Sequence, residues 1–109
     1  MTYVKINGTL YPAEIEGRIK DYEWDERSSQ IIRLTMSAAT AVSLFVDDVQ
    51  WSIVDEFIDE NDETVQVEFD NSEYCVAGDV TDHRNGTVSV KMGKTTEAEI
   101  LAIITGGAE

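Results

Sequence analysis

The sequence predicts an α+β domain built as a curled antiparallel β-sheet or partial barrel of about six or seven strands, with one internal helix and a C-terminal helix. Three observations carry this. Val, Ile and Phe recur at alternate positions in short runs, and polar turns such as Asn7-Gly8 and Asn85-Gly86 separate those runs. The alternation gives way to helical spacing in residues 37–45 and after Thr96. A chain of 109 residues falls within the size of one domain, so residues 1–109 read as a single core with no linker and no internal repeat.

Residues 3–12 form two extended runs joined at Asn7-Gly8, the commonest signal for a tight hairpin turn. Pro12 lacks an N–H, which confines the second run to an edge or an end of the sheet. Ile15, Ile19, Tyr22 and Trp24 are spaced loosely along residues 14–24, predicting a twisted strand with an irregularity at Gly17. After the polar turn Asp25-Glu26-Arg27-Ser28-Ser29, Ile32, Leu34 and Met36 alternate with Ile31, Arg33 and Thr35 as a half-buried strand.

The alanine-rich stretch 37–45 places Ala38, Ala41, Val42 and Phe45 on one helical face, with Thr35 or Ser37 as the cap. Val49, Trp51 and Ile53 begin the next strand, and Asp59-Glu60-Asn61-Asp62-Glu63 forms a solvated turn. The runs centred on Val67, Val76 to Val80, and Val90 then read as an antiparallel meander. Thr96-Glu97-Ala98-Glu99 fits a capping box, in which Thr96 bonds the third helical N–H and Glu99 reaches back. Ile100, Leu101, Ile103 and Ile104 would give that helix an apolar face docked on the sheet, and Gly106-Gly107 would stop it.

Charge narrows the partners. With 22 acidic and 8 basic residues, a net −14, the chain repels phosphate backbones and anionic lipid surfaces, so no direct nucleic-acid binding and no membrane contact are expected. Acidity of this kind serves solubility or a partner with a basic surface, including DNA mimicry. The start of the chain lacks the apolar region of a signal peptide, which predicts synthesis in the cytoplasm.

The chemistry-bearing residues are few. Cys75 stands alone, which excludes a disulfide framework, and its apolar neighbours Tyr74, Val76 and Ala77 predict that it faces the core. His83 is the one histidine and lies in a turn between strands, where it is expected to face solvent. The tract from Asp59 resembles the start of an EF-hand loop, but its sixth position is Thr64 where that loop needs Gly and its twelfth is Asp70 where it needs Glu. No glycine spacing matches a phosphate-binding loop. No catalytic, cofactor-binding or metal-binding residue is therefore assigned. Tyr22 and Trp24, aromatics set among acids, are candidate protein contacts.

Several stretches resemble a group of small prophage-encoded proteins of Gram-positive, often gut-dwelling, bacteria. These are Lys20-Asp21-Tyr22-Glu23-Trp24-Asp25, Leu44-Phe45-Val46-Asp47, Trp51-Ser52-Ile53-Val54, and the run from Val76 through Asp82-His83-Arg84-Asn85-Gly86 to Lys94. None is a catalytic motif. Members of that group often carry a longer insertion after the Trp51 strand, where this chain has the short turn at residues 59–63. The resemblance implies a virion accessory component or a phage factor acting on the host.

The expected function is therefore a non-enzymatic structural or interaction protein, a tail, baseplate or head–tail accessory piece. It would associate with other virion proteins or with itself through exposed sheet edges. The alternative is an acidic inhibitor or DNA mimic that occupies a basic site on a host enzyme. Its carboxylates would be Asp55, Glu56, Asp59, Glu60, Asp62 and Glu63.

Overall fold

The computed structural model describes residues 1–106. Seven strands and two helices follow one another: β1 (Thr2–Ile6), β2 (Thr9–Asp21), β3 (Arg27–Leu34), α1 (Ala38–Leu44), β4 (Trp51–Ile58), β5 (Thr64–Asp70), β6 (Val76–Asp82), β7 (Val88–Gly93) and α2 (Glu97–Gly106). All pairings are antiparallel, in the order β5-β4-β1-β2-β3-β7-β6. The sheet does not close, so β5 and β6 are its two ends.

The β1–β2 turn follows from its two residues. Asn7 and Gly8 take φ of 52° and 79°, the left-handed pair that a two-residue hairpin matching strand twist requires. Pro12 is not on an outer strand, contrary to the expectation from its missing N–H. Residues 9–12 of β2 pair with β1, and from Ala13 onward the strand pairs with β3 instead. Pro12 stands where the ladder changes hands, so its missing donor falls at a junction. The irregularity expected at Gly17 is a bulge: Ile15 faces Ile32 and Gly17 faces Ile31, leaving Glu16 as the extra residue.

The core lies on one face of the curled sheet. Val4, Ile6, Ile32, Leu34, Val90 and Met92 are buried there with Ala41 of α1 and its C-cap residue Phe45. Ser37 caps α1, its hydroxyl accepting the Thr40 N–H at 3.1 Å. Phe45 meets Trp51 edge-on at 5.8 Å between centroids, and the Trp51 indole donates to the Tyr74 carbonyl at 3.1 Å. Val42 is 57% exposed, because a seven-residue helix lying on a sheet buries a stripe narrower than the expected face.

Two further expectations are corrected. The last three strands do not run as one meander, since β5 and β6 sit at opposite ends of the sheet and residues 71–75 cross between them. Strand β4 already pairs with β1 and β7 with β3, so the two terminal hairpins are held apart. Ile100 and Leu101, two of the residues expected to dock α2 on the sheet, stay 47% and 60% exposed; the side chains of Ile103 and Ile104, and Gly107, lie outside what the structure describes. Instead the first turn fastens the helix. Thr96 Oγ1 accepts the Glu99 N–H at 3.2 Å, Glu99 accepts the Thr96 N–H at 2.9 Å, and Arg27 grips the same carboxylate at 2.6 and 3.1 Å.

Candidate protein interface

The hairpin of β4 and β5 combines free backbone, exposed apolar side chains and concentrated charge. Its ladder runs without a break from Ser52↔Asp70 to Ile58↔Thr64. Antiparallel partners share a face, so Ile53, Asp55 and Phe57 stand with Phe69, Val67 and Val65 on the core side. Ile53 is enclosed by the core, but Phe57 and Phe69 are 49% and 52% exposed. Phe69 also borders a cleft of about 610 Å³ shared with Ile15, Arg18, Ile53, Asp55 and Tyr74.

The direction of the β5 backbone follows from the bonds that bracket the ladder. Asn71 donates to the Trp51 carbonyl and Asp59 donates to the Glu63 carbonyl, so 51–71 and 59–63 are hydrogen-bonded pairs. Such pairs alternate in an antiparallel ladder, which makes Ile53–Phe69, Asp55–Val67 and Phe57–Val65 the bonded pairs between them. Val65, Val67 and Phe69 therefore turn their N–H and C=O groups toward β4. Thr64, Gln66, Glu68 and Asp70 turn theirs to the open side.

Sheet edges left in this state template pairing with other chains, and proteins usually block them with proline, bulges or charge. The outer side of β2 beyond Pro12 is interrupted by the Glu16 bulge. Strand β6 is interrupted between Ala77 and Val80, and its Ala77 N–H is taken by Asp47 Oδ1 at 2.8 Å. Strand β5 has neither proline nor bulge, and no charge points to its core side.

The six acidic candidates all belong to this hairpin, but the structure divides them. Asp55 lies on the core side and accepts the Thr2 hydroxyl at 2.8 Å. Glu56, on the outer side, accepts from Gln66 Nε2 at 2.8 Å. Asp59 Oδ1 accepts the N–H groups of Asn61 and Glu63 at 2.9 and 3.0 Å, which shapes the turn, while Glu60, Asp62 and Glu63 are exposed at its tip. Glu68 and Asp70 join the outer face and were not singled out by the sequence. A hydrogen bond from Lys5 at 3.1 Å holds the Glu68 carboxyl below the usual carboxylate range, and one from Ser72 does the same for Asp70. Residues 51–70 contain eight carboxylates and no Lys or Arg.

Tyr22 and Trp24 belong to a different place, the β2–β3 connection. Tyr22 is exposed beneath the Lys20 ammonium. Trp24 is partly buried: a Cβ on Gly78 would lie 2.7 Å from its ring, and Arg27 and Lys91 stack over it at 4.7 and 5.8 Å. Asp21 beside it is bonded to Lys91 at 2.6 Å, which lowers the Asp21 carboxyl below its ordinary value. The ring fastens the turn to the sheet, with cation–π contacts to the buried Arg27 and to Lys91.

His83 and Cys75 do not converge, as they flank the two ends of the seven-residue β6, a span of about 20 Å. His83 is exposed as expected, but Cys75 does not face the core. Tyr74 takes the core position, and Cys75 turns to Thr95, with Sγ 3.4 Å from Oγ1. The bulge brings together a group the sequence did not reveal: His83 Nε2 lies 2.7 Å from Ser89 Oγ, which donates to Glu16, itself paired with Arg33 at 3.4 Å. With the Ser89 hydroxyl donating to the carboxylate, its oxygen accepts from the imidazole, opposite to the direction in which a base activates serine.

Among the described residues no group of three or more His, Cys, Asp or Glu could hold a metal ion, and no helix is long and apolar enough to cross a membrane. Comparison with protein-family models, with curated proteins and with solved structures gives no match.

Proposed function

We propose that this protein is a non-enzymatic interaction module that receives a partner along the open side of β5. The observation that carries the reading is the contrast between edges: the outer sides of β2 and β6 are obstructed, whereas β5 offers four residues with outward backbone groups beside exposed Phe57 and Phe69. The resemblance to prophage-encoded proteins supports a partner among virion components, in the tail, the baseplate or the head–tail junction. Mimicry of DNA is supported less, because it needs carboxylates on one continuous face and Asp55 and Glu56 lie on opposite faces.

The test compares immobilised wild-type protein with Gln66→Pro in a lysate of prophage-induced Gram-positive cells. The Gln66 N–H points away from β4, so proline there blocks the edge and spares the ladder. Virion proteins held by the wild type and lost from Gln66→Pro are the expected result. An identical set on both overturns the reading, and nucleic-acid enzymes that leave both at high salt would favour mimicry instead.

A further inference from the structure

We infer that the strand accepted by β5 is an extended segment of a different protein in which apolar and Lys or Arg residues alternate, entering antiparallel. The inference rests on the docking reading above and adds the chemistry of the occupant.

The backbone fixes the register. An antiparallel strand bonding to Thr64, Gln66, Glu68 and Asp70 places its own residues opposite Val65, Val67 and Phe69 at the non-bonded positions. There the Cα atoms approach to about 4.5 Å and side chains contact most closely, which suits branched apolar or aromatic residues. They would cover the apolar surface that β4 and β5 leave open, including Phe69 at the mouth of the cleft.

The other side chains of the segment fall on the outer face, beside Gln66 and Glu68 and one strand away from Glu56. Lys5, bonded to Glu68, contributes one positive charge to this face against the carboxylates of Glu56, Glu68 and Asp70. Opposite Gln66, Glu68 and Asp70 a neutral segment would leave carboxylates unanswered and an acidic one would meet like charge. A basic one meets an opposite charge directly across or diagonally.

The same charges disfavour a second copy of this chain. Full antiparallel pairing of β5 with another β5 sets Glu68 opposite Gln66 and Asp70 opposite Thr64, so no cation answers either carboxylate and the two Glu68 lie diagonally across the pair, while pairing with β6 brings in Asp79 and Asp82. The Ala77 to Val80 interruption further shortens what β6 could offer. The occupant is thus foreign, basic on alternate residues and about as long as the seven-residue β5.

The test uses the full chain and three capped, fluorescently labelled peptides of the length of β5: alternating Val and Lys, alternating Val and Ser, and the Val and Lys residues sorted into two blocks. Fluorescence anisotropy is read at low and high salt. The alternating Val/Lys peptide is expected to bind at least tenfold more tightly than Val/Ser at low salt, with the gap narrowing as salt rises. The blocked peptide should bind weakly, because its cations cannot all reach one face. Gln66→Pro should abolish binding of the alternating peptide. Glu56→Gln with Glu68→Gln, which leaves the backbone edge intact, should cut the Val/Lys advantage at least threefold. Equal affinity for Val/Lys and Val/Ser, or a Val/Lys advantage unchanged in that double variant, overturns the charge rule while leaving the docking reading to the lysate comparison. Val/Lys binding that survives Gln66→Pro in a variant with wild-type melting overturns β5 as the site, and with it the inference.

Discussion

Ile53 and Phe69 stand directly opposite each other across the β4–β5 ladder, on the same face, yet Ile53 is 4% exposed and Phe69 52%. The core therefore ends between two paired residues, and the apolar stripe of the sheet continues past it. Truncation should register that boundary. Ile53→Ala is expected to cost about 2–4 kcal/mol in urea unfolding, the range for an enclosed aliphatic side chain, and Phe69→Ala less than about 1 kcal/mol. Comparable losses at both positions would mean that Phe69 is covered.

Trp24 and Gly78 make a second long-range contact. A methyl group at Gly78 would lie 2.7 Å from the Trp24 ring and 2.9 Å from the Lys91 carbonyl, so either the ring or the β6–β7 pairing must give way. Gly78→Ala is expected to destabilise by about 1–3 kcal/mol and to shift tryptophan emission to the red. In the Trp24→Ala background the penalty should shrink but persist, because the Lys91 carbonyl is backbone. Additive losses in the double variant would contradict the contact.

Arg27, almost fully buried, fastens α2 through Glu99, and this contact carries a pH signature. Hydrogen bonds from Arg27 are the largest cause of a Glu99 pKa lowered from 4.5 to about 2. A depressed folded-state pKa means that the stabilisation is complete above the unfolded value and is lost as pH falls through the folded one. Helical ellipticity of α2 should thus decline between pH about 4.5 and about 2, and NMR titration of the Glu99 carboxyl should give a midpoint near 2. Glu99→Gln should flatten that acid limb. A Glu99 midpoint near 4.5 would show that the clamp does not form in solution.

How much of this was legible depended on the range over which each residue acts. Local chemistry read well: Asn7-Gly8 dictates its turn, Gly17 marks the bulge, and period-2 alternation fixes the buried side of β3 through Ile32 and Leu34. Long-range contacts did not. Nothing beside Trp24 in the sequence shows that Gly78 and Gly93 will clear a floor for its ring, so it read as an exposed contact. Alternation at Val65, Val67 and Phe69 announces an apolar face, but whether a helix or strand covers it depends on strand order. That order also put β5 and β6 at opposite ends, which a sequential reading of hairpins does not anticipate. The acidic character of the hairpin was visible, whereas its division between two faces needed the register.

The most direct measurement is residue-resolved amide hydrogen exchange along β5 in the free protein. An open edge requires Val65, Val67 and Phe69, bonded to β4, to exchange slowly, and Thr64, Gln66, Glu68 and Asp70 to exchange at least tenfold faster. That alternation is the result expected here. Uniform protection of all seven amides would show that the edge is already occupied and would contradict the account.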